Sequence, residues 1–496
     1  MPERRAAIAA AIIAFVFHLV ANPHYGFFRD ELYFIICGFH PQWGYVDQPP
    51  VTPLLAAASQ IFGHSLFSLR AVAALFGGAS VYVCGLLAIE FGGGVFAVAL
   101  AAICATLCPQ LANFAMKLST DTLGLWLWPL AALYVVRVLK GGDLRQWLWA
   151  GAAIGLALET KYSVLYFAIA LVIALVLTLE HRILWSKWFA AGGAIAVTIA
   201  LPNVIWQAVH GFPMWELVGN AQPANTPLSP SQYVLAEFLI TNPFLALVWL
   251  CGLVRLLIDG RGRFLGYSFL ILIAMMAASR AKHYYPANVY PILFSAGGVA
   301  IESWTARALF LRPVILSIAL VAGILLLPYF EPILPERTFI AFNKAVVAKL
   351  GVGASVTEPE KQTWMTQTWA DMHGWPQLAE AAERIYDALP AHDRSEAVAF
   401  AKNYGEASAI AFFSDVPVIS GHNQYYLWGT RGYRGDVLVD VGGDCGEFSH
   451  LFREWRRVAT FSATYGMPGE QNLPIVVCRG IKRPLSTIWA TLKHYD

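Results

Sequence analysis

Apolar runs close to the length that crosses a bilayer recur along this chain until about residue 328, and then stop. A run of about 20 apolar residues covers the hydrocarbon core as a helix, so repeated runs predict a polytopic α-helical membrane protein. About eleven spans fit the pattern: 6–22, 69–90, 93–110, 119–138, 146–160, 162–180, 187–206, 233–255, 264–280, 284–301 and 311–328. Between the first two, residues 30–39 and 50–63 read as short helices lying along the membrane surface. Both are too short to cross, and the second opens on prolines, which suits a helix start. Charged residues make up only 13% of the chain, against roughly 25% in soluble domains. Beyond residue 330 charge, proline and glycine rise. The expected division is therefore a membrane domain, 1–330, and an extracytoplasmic domain, 331–496.

The positive-inside rule orients the spans. With the N-terminus in the cytoplasm, twelve Lys and Arg residues up to residue 312 fall on the cytoplasmic side and six on the other. Arg4 and Arg5 precede the first run, and no small-residue cleavage site follows, so the first span reads as uncleaved. The first long loop, the 207–232 loop and the tail then lie outside. The six exceptions are Arg29, Arg70, Lys117, Lys161, Arg280 and Lys282. Each is explained either by snorkelling toward headgroups or by a shared polar cavity on the outer face, where an uncompensated charge would be costly.

The first outer loop, NPHYGFFRDELYFIICGFHPQWGYVDQPPVTP (22–53), is too polar and aromatic to span. It gathers Asp30, Glu31 and Asp47 among Tyr25, Phe27, Phe28, Trp43 and Tyr45, a composition suited to a reaction centre on a loop. Together with Asp121, the carboxylates could act as a base toward a hydroxyl or amine. Lys161, Arg280 and Lys282 suit a phosphate headgroup whose lipid tail stays in the membrane. A phosphate leaving group is a weak base, so it needs charge stabilisation more than a proton donor. The set therefore predicts transfer of a group from a lipid-linked phosphate to an acceptor.

Other chemistries lack their motifs. There is no phosphate-cradling P-loop, no GxGxxG after a strand, no HExxH and no CxxC. The net charge of +2 points to no polyanion and no nucleic-acid partner. His283 and Tyr284 form either a ligand group or an interfacial aromatic collar. A divalent cation, magnesium or manganese, is the one cofactor that Asp30, Asp47 and Asp121 leave room for, should they converge. Cys445 and Cys478 are the two cysteines of the tail, either paired in an oxidising compartment or both free.

FFRDELYF followed by DQPPVTPLLAA resembles the first outer loop of the GT-C membrane glycosyltransferases. The chain is most similar to glycosyltransferase family 39, the protein O-mannosyltransferases, and to the aminoarabinose transferases acting on lipid A. MKLSTDTLGLWLW, GLALETKYSVL, AKHYYPANVYPILFSAGG, NYGEASAIAFF and VISGHNQYYLWG extend the likeness over essentially the whole chain. The resemblance implies a polyprenyl-phosphate sugar as donor, attack by an acceptor hydroxyl with inversion, and an active site on the outer face of the bacterial cytoplasmic (inner) membrane. The acceptor would be a lipid, a glycan or a protein. Carried over position by position, it makes Asp30 the base. It gives Glu31, Asp47, Asp121, Lys117 and Tyr45 to the substrates. Lys161, Arg280, Lys282, His283 and Tyr284 go to the lipid phosphate. One departure is Gln48, where the aminoarabinose transferases carry a lysine before the double proline.

In the tail, a helical stretch at 370–389 and short apolar strands at 397–401, 410–413, 416–420, 436–441 and 474–478 predict a small α/β domain. Its role is either a structural lid or acceptor recruitment through HNQYYLWG. The competing function is a transporter or flippase of lipid-linked sugars without covalent chemistry. That reading calls for ionisable residues deep in the spans or inverted repeats.

Overall fold

A computed structural model of the chain describes residues 2–224, 228–260, 262–350, 365–443 and 449–496. Two compact units emerge, neither continuous in sequence. The first is Met1–His24, Phe67–Trp206 and Pro227–Ile333; the second is Tyr25–Leu66, Gln207–Thr226 and Leu334–Asp496.

The first unit is helical, and each expected span contains a helix. Among the described residues, four are long and apolar enough to cross a membrane: Pro2–Ala21, Leu66–Glu90, Lys187–Val209 and Leu311–Tyr329. Two expected spans are broken instead of straight. Val95–Leu107 turns by 65° into Pro109–Met116, and Pro230–Ile240 turns by 109° into Pro243–Ile258. The second break falls at Asn242, whose φ is +66°, just before Pro243. Proline removes an amide from the ladder and restricts the residue before it, so a helix ends there. Helices Pro243–Ile258 and Tyr290–Trp304 cross at Gly252 and Gly297. A Cβ on either glycine would meet the backbone of the other helix, the close approach that small residues permit in membrane bundles.

The second unit joins the first outer loop to the tail. The two expected surface helices form as Arg29–Phe39 and Val51–Ser59. The tail carries one five-stranded sheet: β1 (Ala397–Ala401), β2 (Val418–Ile419), β3 (Val437–Val441), β4 (Phe452–Phe461) and β5 (Leu473–Ile481), in the order β2-β1-β3-β5-β4. The first three are parallel; β5 and β4 add antiparallel. Val398, Ile419, Leu438, Phe452 and Val476 form its core. Residues 410–413 are not a strand: they end the helix Tyr404–Phe413, whose start is fixed by a capping box between Asn403 and Glu406. Sequence reading missed β4 because FREWRRVATF exposes most of its residues at the sheet edge and lacks strict alternation. Cys445, the partner considered for Cys478, lies outside the described residues.

Candidate active site

In the second unit, helix Arg29–Phe39 opens directly on the acidic pair of the first loop. Its first residues have backbone amides without intrahelical partners, so a carboxylate is favoured there by both hydrogen bonding and the helix dipole. Glu31 takes that place. Its Oε2 accepts the Phe28 amide at 2.8 Å, and the residue is fully buried. The resemblance gives Glu31 to the substrates; the structure places it in this internal position.

Asp30 points the other way. Its side chain is 37% exposed, and Oδ1 accepts the Tyr404 hydroxyl at 2.7 Å with Arg29 Nε at 3.8 Å. Among the described residues no hydrogen bond reaches its Oδ2. Asp47 stands close by and accepts the Tyr33 hydroxyl at 2.9 Å. Burial pushes its carboxyl up to about 7; the Tyr33 hydrogen bond opposes the shift, and the charge of Asp30 adds to it.

The turn that carries Asp47 is held from the tail. Gln424, fully buried, accepts the Val46 amide at 3.1 Å, while its own backbone amide donates to the Tyr33 hydroxyl at 3.1 Å. Asn423, Gln424 and Tyr425 are all buried. The Gln424 side chain thus supports the first loop, whereas the Asn423 side-chain amide donates to the Asp496 carbonyl and accepts its amide. Tyr45 is fully buried as well, and its hydroxyl donates to the Cys37 carbonyl at 2.8 Å. A buried phenol needs a partner, and the last turn of helix Arg29–Phe39 supplies it.

In the first unit the remaining residues gather around Lys161. Its Nζ lies 2.6 Å from Asp121 Oδ2, 4.1 Å from the centre of the Tyr285 ring and 5.6 Å from that of Tyr284. Aromatic faces attract a cation electrostatically, so the lysine is held by one carboxylate and two rings. Asn288 donates to the Asp121 carbonyl at 3.4 Å, tying the segment after Lys282 to the same turn. Tyr284 packs edge-on against Tyr285 and His283. Burial and the neighbouring Lys282 hold the His283 imidazole below its ordinary range, so neutral pH leaves it uncharged. Lys282 is half-buried, and its carbonyl accepts the Tyr233 hydroxyl at 3.4 Å.

Arg280 and Lys117 complete the expected set. Arg280 is exposed, at φ +55°, where it closes helix Arg263–Ala278 in a left-handed cap. Lys117 is buried and bonded to Asn113 Oδ1 at 2.6 Å.

Three residues with no assigned role emerge. Tyr33 and Tyr404 hold the first-loop carboxylates. Glu237 is 2% exposed and accepts the Tyr290 hydroxyl at 2.6 Å. An acid inside an apolar run was the available signal for Glu237; nothing local marked the tyrosines. Among the described residues no three His, Cys, Asp or Glu side chains gather as a metal site would need.

A family model described as dolichyl-phosphate-mannose-protein mannosyltransferase matches residues 47–206. A lipid A galacturonosyltransferase of Rhizobium johnstonii, RgtD, is 24% identical over 391 residues, covering 74% of this chain and 80% of that relative. Two crystal structures of ArnT from Cupriavidus metallidurans share the fold over 95% of this chain and 97% of theirs, at 14% identity. The one bound to undecaprenyl phosphate gives a TM-score of 0.61 and the apo one 0.60.

Proposed function

We propose that the chain belongs to the GT-C superfamily, with the mannosyltransferase-like and ArnT-like membrane proteins it resembles, and that it is an inverting glycosyltransferase. It moves a hexosyl or pentosyl group from a polyprenyl-phosphate donor to a cell-envelope lipid, glycan or protein, on the outer face of the bacterial inner membrane. The observation that carries the reading is Asp30: a partly exposed carboxylate with Oδ1 anchored by Tyr404 and Oδ2 open.

In the proposed step, Asp30 Oδ2 accepts the proton of the acceptor hydroxyl as its oxygen attacks the anomeric carbon. The bond from that carbon to the phosphate oxygen breaks, and polyprenyl phosphate leaves with the electron pair. A positioned base contributes about 10²- to 10⁴-fold to such a step. The resemblance assigns Lys161, Lys282, Tyr284 and His283 to the lipid phosphate, a group whose growing negative charge cations stabilise. Lys161 reaches this role by exchanging Asp121 for the phosphate or by sharing itself between them.

The test is mass spectrometry of envelope lipids and glycans from cells lacking the protein and from cells carrying Asp30→Asn. Both strains should lose the same sugar from one acceptor and accumulate a polyprenyl-phosphate sugar. Loss in the deletion alone would remove Asp30 as the base. No change in either strain would leave transport without chemistry as the better reading.

A further inference from the structure

The run Asn403-Tyr404-Gly405-Glu406 sits in the tail, yet each of its residues serves the start of the first loop. Asn403 Oδ1 accepts the Glu406 amide at 2.9 Å, and Glu406 Oε2 accepts the amides of Lys402 and Asn403 at 2.9 and 3.3 Å. This double cap fixes the first turn of helix Tyr404–Phe413, and with it the backbone of Tyr404. The Tyr404 ring is held on several sides: Tyr33 lies at 4.7 Å, His422 edge-on at 4.9 Å, and the Arg29 guanidinium over its face at 5.3 Å. Gly405 leaves room for the stem of Arg29; a Cβ there would lie 2.6 Å from Arg29 Cδ. Held in this way, the hydroxyl points at Asp30 Oδ1.

We propose that Tyr404 is a positioning residue for the Asp30 base, orienting its carboxylate so that Oδ2 faces the acceptor hydroxyl. The proposal rests on the reading of Asp30 as that base. It also gives the tail a part in the chemistry beyond covering the site. A carboxylate on a helix start rotates about two side-chain bonds, and a base must lie within about 2.6–3.2 Å of the proton it takes. One hydrogen bond from a ring that cannot swing removes that freedom. Burial pushes the Tyr404 phenol well above its usual range; Arg29 opposes the shift, and Asp30 adds to it. The hydroxyl therefore keeps its proton and stays a donor.

The experiment compares the wild-type full chain with Tyr404→Phe and Asp30→Asn in lipid nanodiscs. The donors are undecaprenyl-phosphate-linked hexoses and pentoses, and the acceptor is envelope extract from the deletion strain. Tyr404→Phe should lower kcat by about 10- to 100-fold, the worth of one hydrogen bond to a charged group, with donor KM unchanged within about twofold. The acid limb of the rate profile should move to higher pH, because a donor to the charged form is lost. Arg29, Tyr33, Asp47 and His422 face the same pair, and Asp371 and Glu470 face Arg29; all stay in place in both proteins. If Tyr404→Phe folds poorly, 3,5-difluorotyrosine at position 404 keeps ring and hydroxyl. As a stronger donor it should move the acid limb the opposite way. Wild-type kcat in Tyr404→Phe beside an inactive Asp30→Asn would overturn the proposal. So would a lower kcat with an unmoved acid limb, which would make Tyr404 purely structural. An active Asp30→Asn would instead reject the base assignment beneath it.

Discussion

Lys161 and Asp121 form a 2.6 Å ion pair inside the first unit, with the carboxylate side chain only 6% exposed and the ammonium 20%. Sequence reading gave these two residues different roles, Lys161 at the lipid phosphate and Asp121 among the substrate contacts. Their pairing makes each the other's counter-charge before any ligand arrives. Breaking a buried pair by removing one partner costs about 3–5 kcal/mol, because the other charge stays behind. Lys161→Met should therefore lower stability strongly. Adding Asp121→Asn should restore most of it without restoring transfer. Thermal unfolding in detergent beside a transfer assay separates the two effects; a double variant no more stable than Lys161→Met would show that the pair is not coupled.

Asp47 makes the stability of the fold depend on pH. Its carboxyl titrates near 7 in the folded chain, mainly through burial, and near 3.8 when unfolded. The folded state thus binds the proton more tightly, and stability contributed by the neutral carboxyl is full below about pH 4 and lost as pH rises toward 7. Asp47→Asn removes that titration. The melting temperature of the wild type should fall relative to Asp47→Asn between pH 5 and pH 8. Parallel curves for the two proteins across that range would contradict the raised carboxyl.

How much of this was legible in the sequence depends on the range of the interaction. Hydropathy placed the helices because lipid imposes its requirement on every residue of a span. The bend at Asn242-Pro243 was also written locally, yet the surrounding apolar run masked it. Charge pattern and resemblance brought Asp30, Asp121 and Lys161 forward. Glu31 and Tyr45, which the resemblance gives to the substrates, each also satisfy a backbone group, a contact that no local pattern marks. The contact of Tyr404 with Asp30 spans 374 residues, and only the folded unit brings the two together.

Glu237 offers a test within the first unit. Its Oε2 accepts from Tyr290, and Tyr233, one turn earlier, donates to the Lys282 carbonyl. Helix Pro230–Ile240 therefore holds the lysine-bearing segment at two points. Tyr290→Phe leaves a buried carboxyl oxygen without its donor, at a cost of about 1–3 kcal/mol. Glu237→Gln keeps an acceptor for the hydroxyl and should be milder. Combining Tyr290→Phe with Glu237→Leu should cost less than the sum of the single changes, since both act on one contact. Thermal unfolding of the wild type, Tyr290→Phe, Glu237→Leu and the double variant checks this, with Glu237→Gln alongside; strict additivity would mean the contact carries no coupling.

Gly405→Ala isolates the geometry of the acidic loop from the stability of the fold. Alanine is favoured over glycine within a helix by about 1 kcal/mol, and the new methyl meets the flexible stem of Arg29, not a backbone atom. Helix Tyr404–Phe413 should therefore persist, with a melting temperature close to that of the wild type. Arg29 must shift, however, and its guanidinium would leave the Tyr404 face and the neighbourhood of Asp30 Oδ1. The expected result is a stable protein with transfer lowered about tenfold, the scale of a misplaced positioning group. Arg29→Ala in the same background should add little, because the contact is already lost. If Gly405→Ala transfers at the wild-type rate, Arg29 does not need that seat, and the glycine serves only the packing of the helix start.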